Sequence, residues 1–173
     1  ARLYGMLEAN YYLGLLAIMN GRREIADKTL RELPEENPLY PAALLKRGTL
    51  ALARAEWQQA VDLFSQSAAL EGELAISARV LLGIALLRLG QVEAGRAELL
   101  KALEVDPLNH PALRELGALD GEPYRSRLAR LLRDDRQYSI DLACFYTGAG
   151  LAGDALVVLQ EAAQDWEYPM LGY

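Results

Sequence analysis

Reactive side chains are scarce in this chain of 173 residues, which has one histidine, His110, and one cysteine, Cys144. A single thiol cannot close an internal disulfide, so nothing points to an oxidising compartment and a cytoplasmic location is expected. Cys144 is expected at a packing position inside a helix. His110 falls in a turn beside Pro107 and Pro111. With no second imidazole or thiol pair close by in sequence, a metal or acid/base role has no support. No Ser/His/Asp or Cys/His set has a usable spacing, so no enzyme activity, metal or cofactor is expected. Positive charge is in deficit: 18 Lys and Arg stand against 24 Asp and Glu, for a net charge of −6. Phosphate backbones demand clustered positive charge, which argues against nucleic acid as a partner. No apolar run approaches the length of a membrane span, so no membrane partner is expected. Gly/Ser/Pro-rich linkers, low-complexity tracts and β-type alternation are also missing. The chain lacks an initiator Met and a signal peptide, and it stops at Tyr173 without a polar capping helix. Terminal repeats of complete arrays carry a polar outer face, so the expectation is a fragment of a longer protein.

What is abundant is periodic. Gly14, Gly48, Gly83 and Gly117 follow one another at intervals of 34, 35 and 34 residues, each inside an apolar helical stretch. A period of about 34 residues is that of a helix–turn–helix repeat. Such repeats bury their apolar faces by stacking on neighbours, and a chain that is 52% hydrophobic can supply a continuous core. Gly14, Gly48 and Gly83 are expected where the first helix of each pair approaches the second, with Ala26, Ala60 and Gly95 opposite. Gly21 and Gly90 suit the left-handed conformation at a helix C-terminus. Pro38 and Pro107 are expected to end second helices, because the residue before proline avoids the α region. The pairs read as 3–20 with 23–36, 41–54 with 57–70, and 75–89 with 92–105. A fourth, irregular pair runs from Pro111 to Leu119 and then on from Pro123, across a turn at Asp120-Gly121-Glu122. From Gly117 to the equivalent Ala143 is only 26 residues.

Leu13-Gly14, Ala17, Gly21, Ala26 and Leu30 in the first repeat, Gly48, Ala51, Ala60 and Phe64 in the second, and Leu82-Gly83, Leu86, Gly90 and Ala102 in the third resemble the tetratricopeptide signature. Leu142-Ala143, Tyr146, Gly150, Ala155, Leu159 and Ala162 continue it. The match is degenerate: the bulky aromatic before Leu-Gly is Asn10, Leu44, Arg79 and Ser139 in turn, Arg47 replaces one Leu, and Gly72 replaces one Pro. The resemblance implies an all-α, right-handed superhelical solenoid of antiparallel helix pairs. It covers one array over 1–173, with repeats at about 7–40, 41–74, 76–109, a short one at 110–135, then 136–169 and the truncated start of another. Residues 134–173, with Ile140 to Tyr146 and Tyr168-Pro169-Met170, are similar to the repeat region of large bacterial proteins that carry a carbohydrate-associated N-terminal module. This implies a non-catalytic accessory region.

Gly148 to Gly153 spell GxGxxG, but a dinucleotide site needs that motif after a strand, and here it follows a helix and reads as a turn. Arg125, Arg127, Arg130, Arg133 and Arg136 form the densest basic stretch. Arg127, Arg130 and Arg133 share one helix side; this is either a solvated face balanced by nearby acids or a contact for an anionic peptide. In the tetratricopeptide family the concave wall comes from the first helix of each pair. Carried over, that wall is Tyr11, Leu15, Ile18 and Met19, then Leu45, Thr49 and Leu52, then Val80, Ile84, Leu87 and Arg88. It is mostly apolar and lacks the Lys, Asn and Arg of the family's carboxylate clamp. The implied partner is a protein or peptide, such as an amphipathic helix laid in the groove. The other occupants left open are an adjacent domain of the same chain and a second copy.

Overall fold

The computed structural model describes residues 2–70, 72–132 and 136–165. They form ten helices and, among the described residues, no strand. The helices are α1 (Arg2–Met19), α2 (Arg23–Arg31), α3 (Tyr40–Ala53), α4 (Trp57–Ala69), α5 (Leu74–Arg88), α6 (Val92–Val105), α7 (His110–Asp120), α8 (Tyr124–Leu132), α9 (Arg136–Gly148) and α10 (Ala152–Asp165). They fall into two compact bodies, Ala1–Pro107 and Leu108–Tyr173. The division falls after Pro107, in the turn that leads to the irregular repeat.

In the N-terminal body each helix packs on its successor from α1 to α6, and α3 also meets α5. The turn inside each pair is the same piece of backbone chemistry. After α1, Arg22 N–H reaches back to the Ala17 carbonyl at 2.8 Å and Gly21 N–H to the Ile18 carbonyl at 2.9 Å. This six-to-one and five-to-two pairing satisfies carbonyls left open by the helix end, and it requires a left-handed residue between. Gly21 supplies it with φ +70°, and Gly90 does so after α5 with φ +86°. After α3 the same bonds form around Ala55, at φ 57°.

Close approach within pairs follows the glycine period. A Cβ on Gly14 would lie 2.6 Å from Leu30, and one on Gly48 would strike the Phe64 ring. The glycines therefore make room for the large side chain on the second helix, one turn beyond Ala26 and Ala60. At Gly83 an added Cβ would be 3.1 Å from the carbonyl of the expected neighbour Gly95 and 2.7 Å from Leu99. Helix α2 also ends earlier than expected, at Arg31. Pro34 explains this, since it has no N–H for the helix and disfavours the α conformation at Leu33.

In the C-terminal body α7 packs on α8 and α9, α8 on α9, and α9 on α10. Asn109 caps α7 by accepting a hydrogen bond from Ala112 N–H at 3.1 Å. Pro123 precedes α8, and its carbonyl takes the first helical bond, from Arg127 N–H. The Gly148–Gly153 stretch spans the end of α9, the turn at Gly150 (φ +81°) and the start of α10.

Candidate partner-binding site

The first helices of the three N-terminal pairs present the wall positions in matching register: Tyr11, Leu45 and Val80; Leu15, Thr49 and Ile84; Met19, Ala53 and Arg88. Spacing of four residues puts each helix's set on one side. Accessibility along this wall is uneven. On α1, Tyr11, Leu15 and Ile18 are half-buried and Met19 is 81% exposed. Tyr11 and Ile18 lean on the core of Leu30, Leu33 and Ala43. On α3, Leu45 is half-buried, while Thr49 is buried and turns its hydroxyl onto the Lys46 carbonyl at 2.8 Å. Leu52, Val80 and Ile84 are at most 2% exposed. These three are core residues and offer no surface to a partner. Helix α5 explains the change, because its residues from Val80 to Leu86 are apolar or Gly and buried all round, as a helix without a polar face must be. Leu87 and Arg88 stay half-buried at its C-terminal end. The accessible apolar strip is thus Tyr11, Leu15 and Met19 with Leu45.

A polar junction joins α2 to α3. Asp27 of α2 accepts from Arg47 Nε of α3 at 3.0 Å and from Arg31 of its own helix. Burial alone would raise the Asp27 carboxyl, but the hydrogen bonds and positive charges of Arg47 and Arg31 outweigh it and hold its pKa below the ordinary value. Burial, with a smaller contribution from Tyr12, pushes the Tyr11 phenol up.

The basic stretch is broken up. Arg125 folds back, its Nε donating to the Gly117 carbonyl at 2.7 Å. Arg127 is half-buried and Arg130 exposed on α8. Arg133, like Asp134, Asp135 and the segment from Trp166 to Tyr173, lies outside the described residues. His110 opens α7 and stacks edge-on against Tyr138, with ring centroids 4.7 Å apart. Among the described residues no group of three or more His, Cys, Asp or Glu is placed to hold a metal ion. Cys144 is exposed on α9, not packed as expected, because Leu142, Ala143 and Tyr146 take the buried side of that helix. Among the described residues no helix is long and apolar enough to cross a membrane.

Sequence reasoning missed one buried polar pair. Tyr146 of α9 donates its hydroxyl to Glu115 Oε1 of α7 at 2.7 Å, with both residues buried. Burial first, then the Glu115 charge and hydrogen bond, push the Tyr146 phenol far above its ordinary value. Arg114 beside it makes a forked pair with Glu161 of α10, at 2.7 and 3.3 Å. The signal was present in the sequence only as a charged Arg-Glu step inside an apolar helix.

Comparison with known proteins bears on the fold. Residues 8–39 match the tetratricopeptide repeat family. The architecture is that of the tetratricopeptide repeat. Solved structures of MamA proteins share it: one described as MamA protein has a TM-score of 0.67 at 15% identity, covering 96% of this chain and 98% of its own. A MamA fragment from Desulfovibrio magneticus RS-1 has the same TM-score at 17% identity, covering 94% and 97%. A double mutant of MamA RS-1 reaches 0.67 at 18% identity, covering 93% and 96%. No curated protein matches the chain in sequence.

Proposed function

We propose that this chain is a non-catalytic scaffold for protein–protein contact that takes a peptide or amphipathic helix on the face formed by α1 and α3. The observation that carries the reading is the accessible strip of Tyr11, Leu15, Met19 and Leu45 on a repeat framework. Half-buried apolar side chains in one register form a shallow, preformed surface. Covering it removes apolar area from water at about 25 cal/mol per Å², whereas an exposed ion pair at Arg127 or Arg130 contributes only about 0–1 kcal/mol. An amphipathic helix with anchors at i, i+4 and i+7 matches such a surface. A cytoplasmic setting belongs to the same proposal.

Panning a displayed library of helical peptides against the chain tests it. The expected result is enrichment of amphipathic helices whose capture is weakly salt-dependent and is lost in a Leu15→Asp, Leu45→Asp double variant. Enrichment of acidic peptides that survive this change but are lost on Arg127→Glu and Arg130→Glu would move the recognition element to α8.

A further inference from the structure

Half-buried guanidinium groups of the N-terminal body are paired with carboxylates. Arg47 meets Asp27 at 3.0 Å, Arg54 meets Glu56 at 3.1 Å, and Arg79 meets Glu98 at 3.1 Å. Lys46 of α3 is half-buried as they are. Its ammonium, however, has no hydrogen bond or ion pair among the described residues. Helix α3 itself carries no Asp or Glu, so the usual partners three or four residues away along a helix are missing.

The fold does not ask for a cation at this place. The equivalent residues of the flanking repeats are Tyr12 of α1 and Leu81 of α5. The charge is therefore particular to the middle repeat, where it stands beside the partner strip.

In the unbound chain the group costs little, because the methylene stem lies along the helix surface while the ammonium stays in water. Occupying the strip changes that. Leu45, the strip's residue on α3, is the immediate neighbour of Lys46, about 100° round the same turn of helix. A docked helix is about 10–12 Å across with its side chains, so one that covers Leu45 also takes water from Lys46. Desolvating an unpaired ammonium is costly. A carboxylate on the occupant removes that cost and adds a charge-assisted hydrogen bond.

We propose that the helix received on the α1 and α3 face carries an Asp or Glu at the border of its apolar side, and that this carboxylate pairs with Lys46. The same ammonium rejects amphipathic helices with a basic residue there, since like charges brought together in a contact are strongly unfavourable. The inference rests on the docking reading above and adds the charge of the partner to it.

Panning the displayed helical peptides against the full wild-type chain, Lys46→Met and Lys46→Glu tests this, with circular dichroism confirming that each variant is folded. The wild type is expected to enrich Asp or Glu at one position flanking the apolar anchors. K46M should lose that preference, and K46E should enrich Lys or Arg at the same position. In one peptide selected by the wild type, changing the acid to Lys should weaken binding by more than roughly tenfold in fluorescence anisotropy, and K46E should recover it. Amphipathic helices enriched without a charge preference, or an acid preference that persists in K46M, overturn this inference and leave the docking reading standing. Failure of all three proteins to enrich amphipathic helices overturns both.

Discussion

In the N-terminal body each helix pair closes by an apolar device, with a glycine on the first helix admitting a large side chain from the second: Leu30 over Gly14, Phe64 over Gly48, Leu99 over Gly83. In the C-terminal body the corresponding places are filled differently. Gly117 faces Arg125, whose guanidinium turns back to the Gly117 carbonyl, and Ala143 stands where α9 would have its glycine. There the helices are tied by polar side chains, Tyr146 to Glu115 and Arg114 to Glu161. Apolar seating tolerates many sequences of the right volume but no added atom at the glycine. A buried polar tie tolerates neither the loss of one partner nor a change in its protonation. The two bodies should therefore fail under different insults.

The largest difference is expected at Gly83. Replacing it with Leu forces a side chain against Leu99 and the Gly95 backbone, and overpacking of this kind costs roughly 1–3 kcal/mol or more. The urea midpoint should fall accordingly, and an unchanged midpoint would show that glycine seating does not hold the N-terminal body together. Next comes Tyr146→Phe, which leaves buried Glu115 without its phenol donor, a loss of about 1–3 kcal/mol. Combining it with Glu115→Gln in a double-mutant cycle should give a clear coupling energy. Additive effects would remove the polar tie from the comparison.

Acid and base sharpen the contrast. Asp27 has its carboxyl pKa lowered in the folded state, so its contribution is present above the ordinary value of 3.8 and is lost as pH falls through the lower folded value. Tyr146 has its pKa raised, so its contribution is complete below the ordinary value of 10.0 and is lost as pH climbs beyond it. Melting curves against pH should show Asp27→Asn flattening the acid limb only. Tyr146→Phe should flatten the alkaline limb, with Tyr11 supplying a residual slope there through its own raised phenol. If Asp27→Asn leaves the acid limb unchanged, the junction with Arg47 is not what acid breaks.

The smallest expected effect is a gain. Ala55 holds a left-handed conformation that Gly21 and Gly90 occupy in the neighbouring pairs. Ala55→Gly relieves about 1–2 kcal/mol of that strain and gives up a smaller amount, about 0.5–1 kcal/mol, of chain entropy, for a net stabilisation of about 0.5–1 kcal/mol. A lowered melting temperature would mean that the Ala55 turn is not strained in the way its φ implies.

Much of this was legible in the chain itself. The glycine interval gave the helix pairs, and Gly21 and Gly90 their turns, because helix geometry and left-handed caps are local consequences of residue type. The early end of α2 was legible too, in Pro34, but the more distant Pro38 concealed it. Which wall residues a partner can touch was not: Leu15, Thr49 and Ile84 occupy one register position yet run from half-buried to fully buried. Their periodicity is identical, and only the packing of α5 on α3, α4 and α6 separates them. Nor could spacing bring Glu115 to Tyr146, 31 residues apart, in a region where the period itself slips. By itself the sequence determined an all-α array of paired helices, since repeat period and capping act over a few residues. Which apolar faces end in the core and which in water was decided only by the tertiary structure, since burial depends on the neighbouring helices that each face meets.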